Sequence, residues 1–433
     1  MVPSRSRFRG DLLTVYQAAI ARVRGDEAVK TYLEYHPLRG RHYLVAIGKA
    51  ASSMTRGALA VLGENIAAGL VITKHGHADD SLCTHSPVQC LEADHPVPGN
   101  DSLRAGAAML DFIQRTPSDS RLLVLISGGA SSLVEVLPPG MNLEDLSELN
   151  RALLASGLEI GRMNTVRKAV SMIKGGRLRH YLGARHATTL LISDVPGDDP
   201  TVIGSGLLYP NRETEPLANL PAPVERVLEQ IKLPLPRIET PPLASITTAV
   251  VATLEDAKRA AKKKAQVLDY KTYLHPQFLR GEVVARGNEI ANYLHDAPAG
   301  IHIWGGETTV MLPPAPGRGG RNQHLALAAA LALRESSSIY LLAAGTDGTD
   351  GPTDDAGGMI DGQSIARGNR LGMEATHYLA NADAGRFLAA TGDLITTGPT
   401  GTNVMDLVIA LKTEKMRGIG NFDQSGFSAR DSS

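Results

Sequence analysis

At 433 residues the chain exceeds what one hydrophobic core organises, so two domains are expected. A hydrophobic share of 43%, a charged share of 21% and a formal net charge of -1 describe a soluble globular protein. They exclude a nucleic-acid binder that works by bulk positive charge, so any anion site must be local. No apolar run is long enough to span a membrane, and no apolar segment follows the arginine-rich start as a secretory signal would require.

The first half alternates short apolar runs with helical patterns. HYLVAIG (42–48), AAGLVIT (67–73), RLLVLIS (121–127) and ATTLLIS (187–193) read as buried strands. NTVRKAVSMIKGGRL, from Asn164, reads as an amphipathic helix carrying Val166, Ala169, Val170 and Ile173, stopped by Gly175-Gly176. Continuous apolar strands between helices predict a parallel sheet covered on both faces. Two cysteines, Cys83 and Cys90, imply a reducing compartment, hence the cytoplasm; with His75, His77 and His85 they fit no zinc spacing.

Between Tyr209 and Pro242 prolines recur, and the domain boundary is placed there. The expected domains are 1–235 and 243–412, with a loose tail over 413–433. The second unit is expected to begin with SITTAVVAT, followed by a helix over 254–268, KTYL, a helix over 282–295, IHIWGGETTV, a helix after Arg321, SIYLLAAG and NVMDLVIALK.

In an open parallel sheet, ligands sit beyond the carboxyl ends of the strands, and the unusual residues collect there. Lys49 follows a strand and a glycine, although the surrounding AIGKAASSM is not a P-loop. LISGGASSL supplies Ser127, Gly128, Gly129 and Ser131 as an anion nest. LISDVPGDDP places Asp194 at a strand end, and AAGTDGTDGPTDDAGG gathers Asp347, Asp350, Asp354 and Asp355. Four carboxylates so close suggest Mg²⁺ shared with phosphate, since the loop lacks the terminal glutamate of an EF-hand. GRGGRN sets Arg318 and Arg321 on a glycine hinge at a helix mouth, where an unpaired guanidinium would await an anion. TTGPTGTN offers Thr400, Thr402 and Asn403 as donors. No nucleophile pair and no dinucleotide fingerprint stand out, and the set fits phosphoryl transfer.

Taken in order, GKAASSM, TKHGH, HPVPG, SGGASSL, NTVRKAVSMIKGG, LISDVPGDDP, GGETTV, GRGGRNQ, TDGTDGPTD and TGPTGTN resemble the glycerate 2-kinases, whose C-terminal part is called the MOFRL domain. The resemblance covers almost the whole chain. It implies a Rossmann-like three-layer N-terminal domain, a smaller α/β C-terminal domain and an active site in the cleft between them. It also implies ATP-dependent phosphorylation of D-glycerate at its 2-hydroxyl, with Mg²⁺.

On that reading Lys49, Arg321 and Asp194 are catalytic, and Asp194, Asp347 and Asp350 hold the metal. Ser127, Gly128, Gly129, Ser131, Arg318, Gly319, Gly320, Asn322, Glu307, Thr400 and Asn403 bind substrate or phosphate. Met405 stands where the family has a polar asparagine. The expected partners are D-glycerate and nucleotide, with no nucleic acid or membrane, and the protein is a monomer or homodimer. The alternatives are an NAD(P)H-dependent hydroxypyruvate reductase and a non-catalytic phosphometabolite binder on the same fold.

Overall fold

The computed structural model describes residues 5–156, 158, 160–210, 217, 219–230 and 245–414. The apolar runs of the first half become strands β1 (His42–Ile47), β2 (Ile66–Lys74), β4 (Arg121–Ile126) and β5 (His186–Ile192). Two more join them, β3 (Val88–Ala93) and β6 (Ile246–Ala252), in the order β3-β2-β1-β4-β5-β6. Every pairing in this sheet is parallel. This is the strand order of the doubly wound dinucleotide-binding architecture, whose order reverses between β1 and β4. β3 is an edge strand; its sequence VQCLEA mixes glutamine and glutamate among the apolar residues, so no continuous apolar run marks it.

The second sheet contains β7 (Thr272–Glu282), β8 (Gly300–Thr309), β9 (Ile339–Gly345), β10 (Gly357–Asp361), β11 (Leu394–Ile395) and β12 (Asp406–Lys412), ordered β11-β10-β9-β12-β8-β7. β7 and β8 run parallel, and the other pairs are antiparallel. Two helices of this unit are Val283–Asp296 and Arg321–Ala332.

Three expectations need correcting. SITTAVVAT does not open the second unit: as β6 it pairs with β5, so the first sheet ends after residue 252 and the proposed start at 243 falls too early. The helix expected from Asn164 through Ile173 is Ile160–Ala169. It stops because the Ser171 hydroxyl takes the Lys174 N–H (3.2 Å) and Arg177 caps the carbonyls of Lys168 and Ser171, which turns Lys174 inward. Cys83 and Cys90 form a disulfide, so their small number does not by itself indicate a reducing compartment. The tail from residue 415 lies outside the described residues.

Strand alternation distributes the core. Leu44 and Ala46 of β1 face one apolar cluster, Val45 and Ile47 the other. The first of these clusters also takes Leu342 of β9, Leu407 and Ile409 of β12, and Leu12, Val15 and Ala19 of the N-terminal helix Arg5–Val23. The two sheets therefore share one helical layer. Burying each leucine or valine there is worth about 1.5–3 kcal/mol, so parting the sheets would cost a large share of the total stability. The N-terminal helix also braces the second sheet through polar groups. Its Tyr16 hydroxyl donates to the Gly345 carbonyl at 2.6 Å, and its Arg9 pairs with Asp393 at 2.9 Å.

Candidate active site

The carboxyl edge of the first sheet presents its chemistry strand by strand: His95 beyond β3, Lys74 at the end of β2, Lys49 beyond β1, Gly128 beyond β4 and Asp194 beyond β5. The two loops at the reversal point are tied together. The Lys49 N–H donates to the Gly128 carbonyl at 2.9 Å, and Ser127 Oγ accepts the Ala50 N–H at 3.0 Å. Gly48 has a φ of 128° and abuts Ser127, so a side chain there would push the loops apart. Gly128 fits between Asp194 and Asn403, and a Cβ would collide with both.

Charges on this edge are unevenly matched. Lys49 Nζ reaches Asp347 Oδ2 of the second sheet at 2.7 Å. Burial works against the Asp347 charge, but Lys49 and the Thr349 N–H outweigh it and hold the pKa below the ordinary carboxylate value. Lys74 makes no ion pair among the described residues, and lost hydration together with the nearby Lys49 lowers its pKa. Burial, reinforced by the lysines, pushes the His77 and His95 imidazoles down to about 4, so both are neutral at pH 7. Asp194 moves the other way, to about 6, because burial outweighs the attraction of Lys49 and the Gly129 N–H.

On the second sheet every cation of the glycine turn is matched. Arg321 donates to Asp406 Oδ2 at 2.6 Å and pairs with Glu307, and these carboxylates raise its pKa despite burial. Arg318 pairs with Asp355 at 2.7 Å, and its N–H donates to Asp383. The expectation of an unpaired guanidinium on a mobile hinge is therefore corrected. The turn is packed, and its glycines permit close approach: Gly320 lies against the Asp350 backbone and Gly317 against Asp383. Buried Asp350 accepts the Asn322 N–H at 3.0 Å and the Gln323 N–H at 2.8 Å. It closes the start of the helix Arg321–Ala332. Burial still pushes its pKa up to about 7.

Two cavities meet here. The larger, about 940 Å³, is lined by Lys49, Lys74 and His77 from one side and by Arg321, Asp347, Asp350 and Asp354 from the other. The smaller, about 340 Å³, is lined by Gly129, Ser131, Asn150, Arg167, Lys174 and Asp194. His95 and Pro96 line both.

Comparison with known proteins finds two family models along the chain. The model of the MOFRL family matches residues 300–406, and one described as a domain of unknown function (DUF4147) matches residues 11–233. A D-glycerate 2-kinase from Thermotoga maritima is 37% identical over 415 residues, covering 92% of this chain and 97% of that protein. The chain belongs to the glycerate 2-kinase family. A solved glycerate kinase from Thermotoga maritima superposes with a TM-score of 0.80 at 35% identity, over 94% of this chain and 100% of that one. A relative from Agrobacterium vitis, 36% identical over 92% of each chain, carries the provisional name hydroxypyruvate reductase.

Within this family fold, Lys49, Arg321, Asp347 and Asp350 come together on one cavity, and Gly129, Ser131 and Asp194 on the other. Neither cavity is lined by Ser127, Arg318, Gly319, Asn322, Glu307, Thr400 or Asn403. These hold the walls instead: the Thr400 hydroxyl donates to the Thr346 carbonyl at 2.6 Å, and Gly319 faces Gly385. Asp194, Asp347 and Asp350 do not form one three-carboxylate cluster. Among the described residues, metal-ligating side chains converge instead at His75, Asp94 and Asp101, where Nε2 of His75 lies 3.1 Å from Asp101. Met405 has a φ of 69°, a backbone setting that asparagine tolerates better than methionine does. Lys74, His77, His95 and Arg167 went unassigned in the sequence. They lie inside TKHGH, HPVPG and NTVRKAV, motifs whose pattern alone does not show which side chain turns inward.

Proposed function

We propose that this protein transfers the γ-phosphoryl group of ATP to the 2-hydroxyl of D-glycerate, giving 2-phosphoglycerate and ADP. The observation that carries this reading is the meeting of the two cavities at the reversal point of the first sheet. There Lys49 and Asp194 flank the junction, and Arg321 faces them across the larger cavity. Phosphoryl transfer asks for positioning and charge neutralisation more than covalent chemistry, and this inventory offers both.

In the proposed step Asp194 takes the proton of the glycerate hydroxyl. That oxygen forms a bond to the γ-phosphorus as the bond from phosphorus to the β,γ-bridging oxygen breaks, and ADP leaves. A pKa of about 6 leaves Asp194 mostly ionised at pH 7 and close enough to neutrality to accept a proton. Lys49 stabilises the charge on the transferring group. Arg321, already held by Asp406 and Glu307, acts as a fixed positive wall rather than a free clamp.

Oxygen donors on the larger cavity suit Mg²⁺. Asp347 and the exposed Asp354 would hold it, and when bound it neutralises phosphate charge. Asp350 fits that task poorly, because both its oxygens take helix N–H groups. All the residues involved come from one chain, and use of ATP goes with work in the cytoplasm.

A reductase reading has less support. Gly204 and Gly206 sit in a short 3₁₀ turn with φ of 56° and 63°, not between a strand and a helix as a dinucleotide fingerprint requires. The test is a coupled ADP-release assay with D-glycerate and Mg²⁺-ATP, with the product resolved by chromatography. Turnover to 2-phosphoglycerate is expected. No ADP release, together with NADH oxidation by hydroxypyruvate, would overturn the proposal.

A further inference from the structure

The smaller cavity is lined by a cation that no carboxylate of the described residues neutralises. Arg167 lies on the helix Ile160–Ala169, half-buried, and donates through Nε to Asn150 Oδ1 at 3.0 Å and through a terminal nitrogen to Asn164 Oδ1 at 3.4 Å. Both partners are neutral amides, and no carboxylate of the described residues pairs with it. Its neighbour Lys174 differs: buried Glu135 pairs with it, and the Ser171 hydroxyl donates to the same carboxylate at 2.6 Å. The wall therefore offers one uncompensated guanidinium, with Asp194 on the same cavity.

Volume and charge divide the two substrates. About 340 Å³ accommodates a three-carbon acid and suits it better than a nucleoside triphosphate. About 940 Å³ with Lys49, Lys74 and Arg321 on its walls suits the larger, more highly charged nucleotide. Gly129 packs where the two come together: a Cβ on it would lie 3.2 Å from His95 Nε2 and 3.3 Å from Lys49 Cγ.

We propose that the smaller cavity is the hydroxy-acid subsite and that Arg167 anchors the substrate carboxylate, presenting the neighbouring hydroxyl to Asp194 while the nucleotide occupies the larger cavity. This rests on the kinase reading and assigns its two substrates to separate chambers. A planar guanidinium matches a carboxylate with two parallel hydrogen bonds, which a lysine at the same place cannot reproduce.

The experiment uses the full-length protein and begins with the wild type. If it shows no ADP release with D-glycerate, the kinase reading falls by itself. With turnover established, Arg167→Met and Arg167→Lys are compared by steady-state kinetics, varying each substrate in turn. Loss of a charged two-pronged contact should raise the KM for glycerate by about 10- to 100-fold in Arg167→Met. The KM for ATP should stay within about twofold, and Arg167→Lys should fall in between. Calorimetric titration of D-glycerate into wild type and Arg167→Lys reads the anchor without turnover and decides the matter if Arg167→Met does not fold. An unchanged glycerate affinity, or a rise confined to the KM for ATP, overturns the assignment.

Discussion

The two walls of the larger cavity treat charge in opposite ways. Along the first sheet, Lys74 and, in the adjoining chamber, Arg167 carry positive charge with no carboxylate partner among the described residues, and His77 and His95 are held neutral. Along the second, Arg321 and Arg318 are each fixed by a carboxylate, and Asp350 is committed to a helix start. Among the described residues, the first wall keeps positive charge without a carboxylate partner, and the second pairs its own. Among the described residues, the Lys49–Asp347 ion pair alone joins the two across the cavity, at 2.7 Å.

This contrast can be broken at several points. The largest loss is expected from Lys49→Ala. Removing a preorganised group that stabilises transition-state charge should lower kcat by about 10²- to 10³-fold. Steady-state ADP release at saturating substrates measures it, and a change confined to KM would count against the role given to Lys49.

Asp194→Asn should lower kcat by about 10²-fold or more, the usual range for a lost general base. It also carries a pH signature. The wild-type rate should fall as pH drops through about 6, because protonated Asp194 cannot accept the hydroxyl proton. A pH profile of kcat/KM in the variant should lack that acid limb.

The packed wall is tested by Gly320→Ala. The added methyl would meet the backbone of Asp350, so overpacking should cost about 1–3 kcal/mol, read as a lower midpoint in urea unfolding. An unperturbed midpoint would show that the turn has room to give, as a hinge would. The smallest effect is expected from Tyr16→Phe. Losing the hydroxyl that donates to Gly345 should cost about 1 kcal/mol or slightly more, because the carbonyl is left buried, with kcat nearly unchanged.

The parallel sheet was legible because strands covered on both faces read as unbroken apolar runs: HYLVAI, RLLVLI and HATTLLI all lie where the pattern puts them. Edge strand β3 was not legible, since its place at the sheet edge admits Gln89 on one face and Glu92 on the other. β10 was hidden for another reason. Gly357 packs against the Ala343 backbone and Gly358 against Leu388 and Ala326, so the glycines serve close packing where the sequence suggested a loop.

At the site, Lys49 and Asp194 could be picked out because each follows a strand that ends in a turn. The pairing states of Arg318 and Arg321 could not, because their partners Asp355 and Asp406 lie 37 and 85 residues away. The same holds for Arg167: that its partners among the described residues are the amides of Asn150 and Asn164 becomes visible only once the surrounding helices are in place. The family resemblance supplied the reaction class, and the geometry supplied the two chambers.

The most direct test of the account is a crystal structure of the wild-type protein with Mg²⁺, a non-hydrolysable ATP analogue and D-glycerate. The account predicts the triphosphate in the larger cavity, with its terminal phosphate on Lys49 and the glycerate hydroxyl beside Asp194. A triphosphate bound away from Lys49, or a glycerate that leaves the smaller cavity empty, would contradict it.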